Sequence, residues 1–141
     1  MSELAREAIV DKLGYLDIPL AELYNKKKSG NPGFDFHSQS LDEVIIFGEA
    51  KYLDDRNAYG SGLKQVVRFI SDKKDIKDLA DLRDFCSQNA LSSVSKGMKG
   101  FAVAFSAKST PSDTLVSNII KNKDFISLLQ HQEIIIVAVN I

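Results

Sequence analysis

The fold turns on Val44-Ile45-Ile46-Phe47-Gly48-Glu49-Ala50-Lys51. Residues 44–48 are short, apolar, β-branched and aromatic, the composition of an interior strand covered on both faces. That run ends on an acid and a base, Glu49 and Lys51, two residues apart, so on an extended chain both side chains leave by one face. An ionised group buried without a partner is costly, and such groups pair with one another or hold a metal. Upstream, Phe34-Asp35-Phe36-His37 alternates, and Leu41-Asp42-Glu43 turns the chain back into the apolar run. The spacing predicts a hairpin that sets Asp35 on the ribbon beside Glu49. Two carboxylates and an amine are then aimed at one metal ion and one phosphate.

Working outward, the pattern predicts a first helix capped by Ser2, with Leu4, Ala8, Ile9, Leu13 and Leu16 on its apolar side. Residues 20–24 read as a strand or a further helical turn, and 26–33, with Lys26, Lys27 and Lys28, as a basic turn. Gly60-Ser61-Gly62 opens a second helix, Ser61 at its N-cap and Leu63, Val66, Val67 and Ile70 on its buried stripe. A helix over 75–91 follows, Leu79, Leu82 and Phe85 facing inward, then a loop over 92–100, a strand over 101–105, a helix from Ser112 or Asp113 to Gln130, and an apolar strand over 133–140. Helices and strands alternate without internal repeat, the pattern of one α/β layer structure. The apolar last strand has no closing element behind it, so residues 1–141 read as a single domain excised from a longer chain or as a compact complete protein.

Composition narrows the function classes. A chain of 141 residues with 44% hydrophobic and 26% charged content builds a real core and is not a disordered segment. No apolar run approaches the roughly 20 residues that cross a bilayer, and Met1-Ser2-Glu3 lacks a signal peptide's basic start, so the expected location is the cytoplasm, away from membranes. One cysteine, Cys86, forbids an internal disulfide and a cysteine-cluster zinc site. His37 and His131 lack zinc spacing, although His37 follows the Asp35 strand and can line a cleft there. No stretch spells a P-loop, a dinucleotide fingerprint or an acyl-transfer triad. A net charge of −1 does not advertise nucleic-acid binding by the whole molecule, so such contact falls to local groups such as Lys26 to Lys28, Lys96 and Lys99.

The order helix, hairpin with Asp on one strand and Glu-x-Lys on the next, helix, strand, helix, strand resembles the PD-(D/E)xK phosphodiesterase superfamily of restriction enzymes, repair nucleases and Holliday-junction resolvases. The likeness covers most of the chain in element order, and its specific part is Gly33-Phe34-Asp35, Gly48-Glu49-Ala50-Lys51 and Gln65. It implies a restriction-endonuclease-like α/β core, a mixed central sheet flanked by helices. By the same likeness Asp35 and Glu49 resemble the metal-binding acids, Lys51 the catalytic lysine, and Gln65 the helix glutamine of several branches. Glu7 is similar to the first-helix acid of the resolvase-like branches. The familiar proline is displaced, with Pro32 three residues before Asp35. Gly48-Glu49-Ala50-Lys51 followed by an aromatic is also similar to nuclease domains of bacterial anti-phage defence systems such as Hachiman. The resemblance implies DNA ahead of RNA as substrate, in defence, restriction or repair.

The chemistry is coherent. Mg²⁺ prefers oxygen ligands and is held by one or two carboxylates, with waters and substrate phosphate completing its shell. Asp35, Glu49 and the Ala50 carbonyl are such ligands, Mn²⁺ is a natural substitute, and a second metal needs Glu7 to reach the site. Lys51 then orients or deprotonates the attacking water, or neutralises phosphate charge. Gln65 holds a water or a phosphate through its amide. With so little positive charge, a homodimer or an additional domain is expected to supply grip on DNA. The rival expectation is the same fold with an idle site, a module that binds nucleic acid or a protein partner. A simpler reading of Glu49 and Lys51 is a same-face salt bridge at a strand end.

Overall fold

The computed structural model describes residues 1–20, 33–53, 57–107 and 111–140. Its elements run α1 (Ser2–Leu13), β1 (Phe36–Gln39), β2 (Ile45–Lys51), α2 (Ala58–Ser71), α3 (Lys74–Leu82), α4 (Gln88–Ser95), β3 (Gly100–Ser106), α5 (Ser112–Lys121), α6 (Lys123–Leu128) and β4 (Glu133–Val139). The strands form one mixed sheet in the order β1-β2-β3-β4. β1 pairs antiparallel with β2, Phe36 opposite Gly48 and Gln39 opposite Ile45, as the hairpin pattern demands. Ser40 closes the turn between them, its N–H donating to the Val44 carbonyl and its Oγ accepting from the Val44 N–H. β2, β3 and β4 run parallel, joined by helices because parallel neighbours need long crossovers.

The chain is therefore α/β with a mixed sheet flanked by helices. Period-two alternation sorts each strand's side chains between two cores. Ile45 and Phe47 of β2, with Phe101, Val103 and Phe105 of β3, pack against α2 to α6. Phe36, Ile46, Ala102 and Ala104 face the other way, onto Ala5 and Ile9 of α1. Burying one such Ile or Phe side chain contributes about 1.5–3 kcal/mol, so β2 and β3, buried along most of their length, anchor the molecule. Phe36 fixes a detail of the quoted stretch. A Cβ at Gly48 would run into the Phe36 ring, so the residue before Glu49 has to be glycine for β1 to close over β2.

Several expectations need correction. Ser2 is the first residue of α1 rather than its cap, and the buried face of that helix is Ala5 and Ile9, leaving Leu4, Leu13 and Leu16 exposed. Ser61 lies inside α2, which starts at Ala58 with Asn57 at the N-cap. The single helix over 75–91 is two, because the Ser87 side chain accepts from the Ala90 N–H and starts α4 afresh, extending it to Ser95 through the expected loop. The helix to Gln130 is likewise broken at Asn122, whose Oδ1 accepts from the N–H groups of Asp124 and Phe125 and caps α6. Residues 21–32, with the basic turn and Pro32, lie outside the described residues. Among the described residues no helix is long and apolar enough to cross a membrane.

Candidate active site

Asp35 sits one residue before β1, whose first pair with β2 is Phe36 opposite Gly48, the neighbour of Glu49. Two hydrogen bonds lay it across β2: its N–H donates to the Gly48 carbonyl at 2.8 Å, and its Oδ2 accepts from the Ala50 N–H at 3.0 Å. The Glu49 carboxyl lies beside that of Asp35, close enough to feel its charge. Glu49 is only 6% exposed, and its Oε2 is buried without a hydrogen-bond partner. Burial first, then the charge of Asp35 and the hydrogen bond to it, push the Glu49 carboxyl up to about 9, against the pull of the Lys51 ammonium. Two acids and one base thus share one face at the end of β2.

That face is roofed by α2. A Cβ at Gly62 would stand 2.6 Å from Val103 Cγ1 and 3.6 Å from Lys51 Cβ, so glycine brings the helix down onto the stem of Lys51. Gln65 follows Gly62 by three residues, about one turn along the same helix, and is partly buried. Glu7 is not brought in. Its side chain is exposed, 3.9 Å from Arg6 Nη2, on the helix that covers the opposite face of the sheet. Among the described residues no three His, Cys, Asp or Glu side chains gather, so Glu7 does not join Asp35 and Glu49. An orphaned buried carboxylate oxygen beside a second acid is a donor set that a hard cation fits, with Asp35 and Glu49 as its ligands.

A residue the sequence reading missed holds the approach to Asp35. Asp78 of α3 is buried, and its Oδ2 accepts from the Phe34 N–H at 3.0 Å and meets His37 Nε2 at 2.8 Å. The bonds flank Asp35 on either side, pinning 34–37 to α3. His37 is therefore a buried core partner, edge-on to Phe47, and not a cleft residue. The available signal was Asp75, Asp78 and Asp81 at three-residue spacing, all buried in the structure. Asp75 pairs with Lys99, taking up one of the lysines read as a backbone contact. His131 meets Phe101 edge to face, its pKa lowered by burial and then by Lys99. No family model, curated protein or solved structure matches this chain.

Proposed function

We propose that this chain is a metal-dependent nuclease of the PD-(D/E)xK kind, hydrolysing phosphodiester bonds of DNA. One observation carries the proposal: Asp35 and Glu49 stand carboxyl to carboxyl, the Glu49 Oε2 has no partner in the protein, and a lysine two residues on shares their face. A buried acid oxygen with no donor in the protein, beside a second acid, is an arrangement that a divalent cation completes. Held by these acids, Mg²⁺ or Mn²⁺ would supply Lewis acidity toward a phosphoryl oxygen and would lower the pKa of a water. Asp35 and Glu49 would hold that cation, and Glu49 would give up its proton to do so.

Lys51 contributes an ammonium that is one hydrogen-bond donor to the attacking water or to a nonbridging phosphate oxygen, placed there by its strand and kept in place by α2 above its stem. Gln65, from α2, offers an amide that donates to phosphate or accepts from water without adding charge. With only two acids gathered, the rival idle module has one point in its favour: a single pair of carboxylates holds a cation less firmly than a larger set. Incubation with supercoiled and linear DNA in Mg²⁺ or Mn²⁺ decides between them. The nuclease cuts, and Lys51→Ala and Glu49→Ala do not. A wild type inert with both metals, or variants that cut equally well, defeats the proposal.

A further inference from the structure

β4 is the edge strand of the sheet, and among the described residues nothing pairs with its outer side. Edge strands of monomers are normally protected by a lysine, a proline or a bulge. Ile134-Ile135-Ile136-Val137-Ala138-Val139 has none of these, and its register with β3 is unbroken. The Val139 carbonyl accepts from the Ala107 N–H, so in the alternation of a parallel ladder the odd residues turn their backbone groups inward. Ile134, Ile136 and Ala138 then turn theirs outward. Whatever covers this edge must present an extended backbone of its own.

We propose that the occupant is a second copy of this chain, its β4 antiparallel to the first across a two-fold axis near Ile136. That register sets outward-facing residues against each other, Ile136 with its own copy and Ile134 with Ala138, and brings no charge opposite a like charge. The one charged residue of β4, Glu133, is engaged inside its own chain, where the Tyr15 hydroxyl donates to its carboxylate at 2.5 and 2.7 Å. Both flanks of the edge carry apolar side chains. On one side a groove of about 220 Å³ is lined by Val116, Ile119, Ile120, Phe125 and Ile136, with Val116 57% and Ile120 55% exposed. On the other, Leu13 and Ala8 of α1, with Lys12 beside them, border Ile135 and Val137. A two-fold perpendicular to the sheet keeps each face on its own side, so Val116 and Ile120 approach their counterparts and the groove closes on itself.

The pairing gives one eight-stranded sheet. Its strands reverse direction at the axis, so the two Glu49-bearing ends of β2 open at opposite ends of the assembly, five strand spacings or about 24 Å apart across the sheet. Sedimentation equilibrium of the whole chain over a range of concentrations tests the interface without reference to any activity. The wild type forms a dimer. Ala138→Pro, an exposed position whose N–H faces outward, weakens it by about 100-fold or more in Kd while the circular dichroism stays native. Val116→Lys, on an exposed helix face, weakens it independently and serves if the proline variant misfolds. A wild type that stays monomeric throughout, or dimers that survive both substitutions, overturns the proposal.

Discussion

Asp78 and Glu49 are equally hidden, 4% and 6% exposed, yet their surroundings differ in kind. The protein completes Asp78: a backbone N–H and an imidazole nitrogen reach the same Oδ2, and the group fastens α3 to the chain entering β1. Glu49 is left incomplete, with another acid for its neighbour, an orphaned oxygen, and a proton held up to about 9. A carboxylate buried for architecture is given donors. One buried beside a second carboxylate gains nothing structurally from its charge, and its position is explained by something that binds it from outside. The two lie on either side of Asp35, so one secures what the other uses.

The contrast can be broken at either end. The largest expected effect is on the incomplete side: Lys51→Ala lowers DNA cleavage by about 10³-fold with little change in melting temperature, measured by plasmid nicking. On the complete side, Asp78→Ala strands the Phe34 N–H and His37 together and costs about 3 kcal/mol in urea unfolding, which Mn²⁺ does not restore. Per pH unit, a smaller effect separates the pair. Between about 4.5 and about 9 the native Glu49 holds a proton that the unfolded chain has released, so metal-free stability falls as pH rises through that window, by at most about 1.4 kcal/mol per unit. Glu49→Gln removes that slope, and chemical denaturation at several pH values shows whether it does. Smallest is Glu7→Ala, on an exposed helix face, which changes stability and cleavage within about 0.5 kcal/mol.

The hairpin was legible because alternation and an apolar run are local signals, and the structure pairs β1 with β2 and brings Asp35 beside Glu49. The breaks at Ser87 and Asn122 were hidden because apolar spacing continues across both, while capping by one hydroxyl or amide decides where each helix ends. Asp78 was hidden for a different reason. Its partners lie 41 and 44 residues away, and helix spacing alone cannot tell a solvated acid from one that meets a backbone N–H across the core. The last strand shows the same limit. Its composition equals that of an interior strand, yet strand order places it at the edge, partly exposed along its length.

Thermal melting of metal-free wild type and Glu49→Gln, with and without Mn²⁺ at neutral pH, goes most directly to the claim that the incomplete acid pair holds a cation. Mn²⁺ at ten times its dissociation constant stabilises the wild type by about 1.4 kcal/mol, a rise of about 5 °C for a domain of this size, and leaves Glu49→Gln where it was. An unmoved wild type, or an equal rise in both proteins, contradicts it.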